Sequence, residues 1–398
     1  VVEPQESRLR LRRGLVSATW GRSLLRKYRS PEDGGSRMSA ARKWISSVIA
    51  VLLFAALAPA AYAACPGPCI RDAEIEAILR EYSDPIFEAA GLRASDVDIY
   101  LINDGSLNAF VGGGQNVHIH TGLIIAAETP EQLKGVIAHE TCHMACGHLQ
   151  TRTEAMGAAG NMSMMSIGLG VLAMAAGAPD AGMALIGSSS QFGYLTFAKH
   201  TRSEEAAADQ KAVSYLEATG QSADGLIEFF EKYRYQELMS DGRRYPYFRT
   251  HPLSSDRIGA LRSRVAQARS TAEPQSERTL DQMARMKAKL IGFLEPANKV
   301  YREYPKTDLS IPARYARAIS AYRVPDIGTA LTEIDGLIEL EPENPYFHEL
   351  RGQILFESGQ IEESIGPHRR SVELAPDQPL LKVNLARSLT QDGSEEKL

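Results

Sequence analysis

The chain has 398 residues, of which 44% are hydrophobic and 23% are charged, and its formal net charge is −5. This length has room for two or three domains, and the composition is that of an ordinary globular protein. No concentrated basic region follows the N-terminal segment, and phosphate binding requires one. Nucleic acid is therefore excluded as an expected partner.

The N-terminal part of the chain has the pattern of an export signal. Residues 1–37 are rich in Arg and precede a plausible start methionine, Met38, so we expect an unstructured extension or an over-long reading frame there. Two basic residues then precede an apolar run over 44–57, and an Ala-Tyr-Ala sequence places small residues where signal peptidase cleaves. The pattern predicts a signal peptide over 38–63 and a periplasmic location.

The four cysteines form two pairs, each with three residues between its members. In an exported chain Cys65 and Cys69 could close a small loop as a disulfide. Acylation of Cys65 is a weaker alternative, because Tyr62 stands where lipoprotein sites prefer an aliphatic residue. Cys142 and Cys146 lie one helical turn apart, where a disulfide has poor geometry, so we expect two buried thiols.

The sequence His139-Glu140-Thr141-Cys142-His143 has the spacing of a zinc-hydrolase motif. Thr129 and Pro130 are suited to the N-cap and first position of a helix that leads into it. Residues four apart lie on one face of a helix, so both imidazoles can bind one Zn²⁺ while Glu140 reaches the metal-bound water. The motif predicts metal-assisted peptide hydrolysis with one Zn²⁺ per chain.

A small sheet is predicted before this helix. Residues 97–102 and 117–121 alternate in hydrophobicity, and a glycine turn at 112–114 precedes the second of these strands. His118 and His120 share one face of that strand, and we expect them to face solvent or the edge where substrate binds. A role for them as zinc ligands is the less favoured alternative, because a complete ligand set is available elsewhere.

Residues 157–193 are rich in Met, Ala and Gly. Their two apolar runs, 164–178 and 181–187, are each shorter than the roughly 20 residues that span a bilayer, and Pro179 and Asp180 interrupt them. We interpret the segment as a hydrophobic hairpin or lid near the cleft. A membrane-embedded hairpin is the alternative, because the runs together are unusually apolar for a loop.

Glu205 and Asp209 lie one turn apart at what we expect to be the start of an alanine-rich helix. In isolation such a segment is usually a solvated helix end. After the zinc motif, Glu205 becomes the expected third ligand, because a water-activating zinc needs one more protein ligand and an open position. His251 is expected at the same site, where it would stabilise the oxyanion or occupy the open position in a resting state.

A polar linker is predicted over 269–279, between a metalloprotease domain at 64–268 and a repeat domain at 280–398. In the repeat domain, Glu339-Leu340-Glu341-Pro342 recurs 34 residues later as Glu373-Leu374-Ala375-Pro376. This is the period of tetratricopeptide helix pairs, which stack into a concave surface that holds peptides or partner proteins. A degenerate earlier unit is expected near Asp308.

With these residues the chain resembles the HtpX and CaaX-protease family of zinc metallopeptidases, most closely its soluble periplasmic branch with C-terminal tetratricopeptide repeats. The likeness covers about Asp72 to the C-terminus. It rests on five ordered motifs: Asn108-Ala109-Phe110, the stretch 114–123, His139 to His143 followed by His148, the stretch 202–209, and Thr250-His251-Pro252 with Arg257-Ile258.

The resemblance implies a gluzincin site in which His139, His143 and Glu205 bind zinc. Glu140 would be the catalytic base and later the proton donor, and Asp209 would orient a zinc-bound histidine. His148 would be structural, pointing away from the metal face.

The resemblance also implies a substrate edge, in which the strand that carries Asn116, His118 and His120 holds an extended peptide by β-augmentation. The clients implied are misfolded or stalled outer-membrane proteins, and outer-membrane assembly components are implied as partners.

The predicted fold class is mainly α: a helical zincin-like metalloprotease domain with a small β-sheet, followed by an α-solenoid of tetratricopeptide helix pairs. The predicted function is that of an exported zinc-dependent metalloendopeptidase in periplasmic quality control, with peripheral membrane association as an open point. Two alternatives stay open at this stage. One is an assembly chaperone that uses the repeats and has a latched or idle zinc site; the other is an integral membrane protease.

Overall fold

The computed structural model describes residues 68–268 and 274–393. The predicted extension, the signal peptide and Cys65 lie outside the described residues. The fold is mainly α with one small sheet, which confirms the predicted class. Cys69 is disulfide-bonded. The expectation of two buried thiols is confirmed for Cys142 and wrong for Cys146, which is exposed because it lies at the end of its helix.

The sheet has four strands in the order β1, β2, β4, β3. β4 pairs in parallel with β2 and antiparallel with β3, while β1 pairs antiparallel with β2. Helix α1, Ala73–Ala89, precedes β2. Its N-cap is Asp72, whose carboxylate accepts a hydrogen bond from the N–H of Ile75. The strands are β1 at Cys69–Ile70, β2 at Asp98–Ile102, β3 at Ala109–Gly112 and β4 at Asn116–His120.

The prediction that Asn116, His118 and His120 form a substrate edge is wrong, because β4 lies between two other strands and both of its edges are paired. Alternation finds a strand but does not encode its neighbours in the sheet. The two histidines are buried and do not face solvent. Thr121, which the alternation assigned to this strand, begins the next helix.

Short helix α2, Thr121–Ala126, leads into α3, Pro130–Ala145, which carries the zinc motif. As predicted, Thr129 caps α3, accepting a hydrogen bond from the N–H of Gln132, and Pro130 occupies its first turn. α3 is central to the fold and is buried along nearly its whole length. Gly135 makes this possible on one side, since a Cβ there would lie 2.8 Å from Leu226.

Three helices follow: α4 at His148–Ala175, α5 at Pro179–Gly187 and α6 at Ser189–Ala218. The first two form the predicted hairpin together with the start of the third. The predicted helix start near residue 201 is wrong, because α6 begins at Ser189 and Glu205 lies in its interior. Gly and Ser residues ahead of the acidic segment obscured its beginning, yet helical hydrogen bonding continues through them.

The catalytic half ends with three helices that close over α3 and α6. They are α7 at Asp224–Lys232, α8 at Pro246–Thr250 and α9 at Ser255–Ala268. Short 3₁₀ turns at Arg234–Leu238 and Asp241–Arg243 connect α7 to α8. One hydrophobic core contains residues of α1, the sheet, α3, α6, α7, α8 and α9.

All regular elements described between residues 274 and 393 are helices. Helices α12, α14 and α16 begin at Ile311, Pro345 and Pro379, a constant spacing of 34 residues, and α13 and α15 begin at Ile327 and Ile361 with the same spacing. α10 begins inside the predicted linker, which therefore ends earlier than expected. The seven helices are α10 at Glu277–Leu294, α11 at Ala297–Glu303, α12 at Ile311–Arg323, α13 at Ile327–Leu340, α14 at Pro345–Glu357, α15 at Ile361–Leu374 and α16 at Pro379–Asp392.

A buried polar cluster ties these C-terminal helices to α1. The ammonium of Lys289 on α10 lies 2.9 Å from the carboxylate of Asp72 and 3.2 Å from that of Glu74. Tyr315 of α12 donates a hydrogen bond of 2.8 Å to Glu74. Because these side chains are largely buried, the cluster fixes the first C-terminal helices against the catalytic half.

Candidate metal centre

Two helices bring the predicted metal ligands together. The Nε2 atoms of His139 and His143, one turn apart on α3, lie 3.1 Å from each other. The carboxylate of Glu205 on α6 lies 3.3 Å from the first ring and 3.5 Å from the second. All three side chains are buried, so ring nitrogens and carboxylate oxygens converge on one water-excluded point.

His251, at the end of α8, completes the group. Its Nδ1 lies 3.1 Å from Glu205 and 3.4 Å from Nε2 of His139. One ligand atom from each of His139, His143, Glu205 and His251 lies within 4.8 Å of all the others. The ring of His251 is stacked on Tyr247, with 4.7 Å between ring centroids. The structure thus places His251 among the predicted ligands, as the fourth member.

Asp209 contacts His139 on the side away from the other ligands. Its carboxylate lies 3.0 Å from Nδ1 of His139, the ring nitrogen that faces away from the other ligands. This contact fixes the orientation of the ring and directs Nε2 into the cluster, as the partner of a metal-binding histidine does. Asp209 is in turn held by Arg257 of α9, whose Nε and Nη2 donate hydrogen bonds of 2.5 and 2.8 Å.

The charges of the site are strongly coupled. Burial opposes ionisation of Glu205, but the charges of His251 and Arg257 hold its pKa well below the ordinary value. Burial likewise opposes charging of His139, but the carboxylates of Asp209 and Glu205 raise its pKa to about 9. Burial and the neighbouring His139 lower the pKa of the His143 ring.

Glu140 follows the first histidine of the motif and is fully buried. Both of its carboxylate oxygens lack a hydrogen-bond partner among the described residues, although Nε2 of His251 lies 3.4 Å from one of them. Burial raises its pKa. An unpartnered carboxylate in such a place is costly unless it serves a ligand or a reaction, which suits a general base.

These observations fit a divalent metal ion. Two neutral imidazoles and a carboxylate are a donor set that zinc prefers, and a cation would compensate the excess of buried carboxylates. The carboxylates of Asp209 and Glu205 also raise the pKa of His139, because they stabilise a positive charge on its ring. A metal ion at the ring would be stabilised in the same way. His139, His143 and Glu205 would hold the ion, with His251 within reach of it.

His148 contacts His143 on the side away from the point where the ligand atoms meet, which leaves the predicted structural role open. Its Nδ1 lies 2.9 Å from Nδ1 of His143. The prediction assumed one continuous helix, but the chain turns between α3 and α4 at Gly147, which has a φ of +71°. The turn brings His148 back against the ligand ring, and its positive φ favours glycine at this position.

The histidines of β4 lie outside the metal group. His118 is stacked between Tyr100 and Phe110, with centroid distances of 5.3 and 4.6 Å. His120 Nδ1 is 3.0 Å from the hydroxyl of Ser106. Their contacts are those of buried histidines that stabilise the sheet, so their use as zinc ligands is not supported by the geometry.

Two residues of the site were not assigned a role from the sequence. Arg257 was noted only as part of a motif, yet its guanidinium contacts Asp209 and lies 3.0 Å from Glu205. Tyr247 belongs to none of the motifs, yet it is fully buried beneath the ring of His251. No local pattern marks either residue, because both roles depend on α8 and α9 folding back onto α6.

Comparison with known proteins agrees with this geometry. Residues 70–265 match peptidase family M48. The chain is 26% identical over 308 residues to the beta-barrel assembly-enhancing protease of Escherichia coli (strain K12), a match that covers 75% of this chain and 61% of that protein.

Two further relatives match shorter stretches. The putative beta-barrel assembly-enhancing protease of Vibrio cholerae is 31% identical over 198 residues, 48% of this chain and 40% of that protein. The metalloprotease LoiP of Escherichia coli (strain K12) is 29% identical over 174 residues, 42% of this chain and 62% of that protein. The chain spans about three fifths of the length of its Escherichia coli assembly-enhancing relative. The M48 region includes every residue of the metal group, so residues 70–265 form a peptidase M48 domain that carries the whole site.

Proposed function

We propose that this protein is an exported zinc-dependent metalloendopeptidase. The observation that carries the proposal is the convergence of His139, His143 and Glu205 on one buried point, with the unpartnered carboxylate of Glu140 beside it. The match of residues 70–265 to a metallopeptidase family supports the same conclusion.

Each side chain of the site has a task in peptide hydrolysis. Zinc held by His139, His143 and Glu205 would supply a Lewis acid that polarises the scissile carbonyl and lowers the pKa of water. Glu140 accepts the proton of the attacking water and passes it to the leaving amine. Its burial favours this exchange, because a raised pKa brings a carboxylate closer to the range in which it can both accept and donate.

An extended substrate would pair with β3. No strand pairs with the outer side of β3 among the described residues, and β3 packs beside α3. The N–H of His120 donates to Asn108, so in an antiparallel ladder Ala109 and Val111 direct their backbone groups outward. Peptide substrates N-methylated at alternate positions would test this: methylation at a pairing residue should slow cleavage, whereas methylation one residue away should not. Equal cleavage of the two isomers would exclude pairing.

The clients we propose are misfolded or stalled outer-membrane proteins in the periplasm. Support comes from the signal-peptide pattern over 38–63 and from relatives named as beta-barrel assembly-enhancing proteases. The helices that repeat every 34 residues would form a tetratricopeptide surface that recruits substrates or outer-membrane assembly components.

The proposal is tested with Glu140→Gln, which keeps the shape of the side chain and removes its basicity. Casein hydrolysis should fall about 10²- to 10⁴-fold while bound zinc is unchanged. Glu131→Gln, in the first turn of the same helix, is the matched control and should cleave at the wild-type rate. A Glu140→Gln protein that degraded casein as fast as this control would refute the proposal.

A second function is favoured by the position of His251. Its Nδ1 lies 3.1 Å from Glu205 and 3.4 Å from Nε2 of His139, so the ring is within reach of the open zinc position and would latch the site by occupying it. In that case the repeats would act as an assembly chaperone and the peptidase would be held idle. Alternatively, His251 stabilises the oxyanion of the transition state.

His251→Ala separates these roles. Faster casein hydrolysis than wild type would support latching, whereas loss of hydrolysis with zinc retained would support a transition-state donor. His200→Ala, a partly exposed histidine on α6, is the control for removal of an imidazole. Activity unchanged from this control would exclude both roles.

A further inference from the structure

The hairpin built from α4, α5 and the start of α6 has an inverted distribution of side chains. Within α4 beyond Ala155, and in α5, the buried residues are small: Ser166, Gly170 and Gly182. Large apolar side chains are more than half exposed, and include Met156, Met164, Met165, Leu172, Met183 and Tyr194. In a protein surrounded by water the large apolar side chains turn inward and the small polar ones lie outside.

The two arms of the hairpin meet through small residues and hydroxyl groups. A Cβ on Gly170 would lie 2.7 Å from the carbonyl oxygen of Gly182, so the backbones touch there. Ser163 and Ser166 donate hydrogen bonds of 2.9 and 2.7 Å to backbone carbonyls of the opposite arm. Such packing is typical of helices in lipid, where apolar side chains gain nothing by turning toward each other.

Apart from the face that packs on the opposite arm, the apolar surface of α4 extends around the helix and is wider than one stripe. Met164 and Met165 are adjacent in sequence and point about 100° apart, and both are more than half exposed, as are Val171 and Leu172. A stripe would suit a groove on a partner protein, whereas a helix that is apolar all round is suited to a protein core or a bilayer. The exposure of these residues excludes the core of this chain.

Charge and length both match a bilayer. Between Glu154 and Lys199 the only charged residue is Asp180, in the first turn of α5 where the hairpin reverses. Basic residues Arg152, Lys199 and Arg202 lie at the base, where lipid phosphates would be. The part of α4 beyond Ala155 is about 30 Å long at 1.5 Å per residue, the thickness of the hydrocarbon layer.

α4 is long and apolar enough to cross a membrane. Two other kinds of helix share this length and composition: the core helix of a globular protein and a signal sequence. The first is mostly buried, but only 11% of the most apolar part of α4 is buried. A signal sequence lies near the N-terminus, whereas α4 follows His143 and precedes Glu205 in the sequence.

We propose that residues 155–198 insert into a lipid bilayer as a helical hairpin, with the base at the headgroups. The base is continuous with the metal centre, because α4 begins at His148 and α6 continues to Glu205. Insertion therefore holds the metal centre near the membrane surface. This proposal does not depend on peptidase activity, and its tests do not measure activity.

Vesicle flotation tests the proposal. Residues Cys65–Leu398 form one compact unit, and this segment omits the apolar run of the predicted signal peptide. We expect it to float with vesicles of phosphatidylcholine and phosphatidylglycerol. Leu169→Glu/Leu172→Glu, on the exposed face of α4, should reduce the floated fraction at least fivefold, with an unchanged circular dichroism spectrum.

The matched control is Leu309→Glu/Val324→Glu, which adds the same charges at exposed apolar positions of the C-terminal part. It should float like wild type. Failure of the wild type to float, as expected if the hairpin instead docks on a protein, would overturn the proposal. Equal flotation of the two double variants would also overturn it.

A fluorescence experiment distinguishes insertion from adsorption. Both Trp residues of the chain, Trp20 and Trp44, precede residue 65, so a single Trp can be introduced into the 65–398 segment without background. Emission from Leu172→Trp should shift to the blue with vesicles and be quenched by lipids brominated deep in the acyl chains. Leu309→Trp is the control and should show neither change. Leu172→Trp emission that matched the control would exclude insertion.

Discussion

Arg257 is the residue on which the charge balance of the metal centre most depends. Its guanidinium contacts the carboxylates of Asp209 and Glu205, which are 2% and 1% exposed, and donates to the carbonyl of Pro252. Arg257→Met keeps the length of the side chain and removes the charge. Two buried carboxylates then lose their cation, which is among the costliest single changes available to a protein.

The expected loss is about 3–5 kcal/mol in the free energy of unfolding, the cost of removing one partner from a buried ion pair. An independent estimate agrees, since two unit charges 4 Å apart interact by about 4 kcal/mol at an effective dielectric constant of 20. The pKa of Asp209 is held below its ordinary 3.8, mainly by Arg257 acting against burial. The pair therefore stabilises the fold fully at pH 7, and the contribution is lost only as the pH falls below 3.8 through the lowered pKa.

Urea denaturation of metal-free protein at pH 7, followed by circular dichroism, measures this loss. Arg264→Met is the matched control: it lies two turns further along α9 and pairs with Glu217 at the surface, where an ion pair contributes at most about 1 kcal/mol. Asp209→Asn combined with Arg257→Met should lose less than the sum of the single variants. A loss under about 1 kcal/mol for Arg257→Met would refute the reasoning, because the carboxylates would then not depend on the guanidinium.

Two further predictions concern packing and the junction with the C-terminal helices. Gly135→Ala should destabilise the protein by about 1–3 kcal/mol in urea denaturation, because its Cβ would lie 2.8 Å from Leu226; an unchanged midpoint would show that α7 moves away freely. Lys289→Met should cost about 3–5 kcal/mol at pH 7, because it leaves Glu74 buried without its cation, and Lys287→Met on the same helix is the comparison. Similar losses for both lysine variants would contradict the importance of the buried cluster.

The sequence predicts well those features of the fold that depend on residues close together in the chain. The cap at Thr129, the proline at the start of α3 and the spacing of His139 and His143 all depend on residues within a few positions of each other. The same holds for the constant 34-residue spacing of the C-terminal helices, which the recurring Glu-Leu and Pro residues indicated. Periodicity and capping are sufficient where the determinants are neighbours in the chain.

The errors arose where the outcome depends on distant segments. β4 is an interior strand because β3 pairs with its free side, and alternation within β4 carries no information on this. The contact of His148 with His143 depends on the turn at Gly147 between α3 and α4, and spacing along an unbroken helix does not reveal it. The role of Arg257 depends on the packing of α9 against α6, which no motif spacing describes.

The zinc content of the purified protein and its Glu205→Gln variant tests the central claim most directly. Glu204→Gln is the control, since Glu204 is the adjacent residue on α6, is nearly as buried, and bonds to Thr151 away from the ligand group. The account predicts about one zinc per chain in the wild type and in Glu204→Gln, and little or none in Glu205→Gln. Full zinc content in Glu205→Gln, or equal loss from both variants, would contradict the assignment of Glu205 as the third ligand.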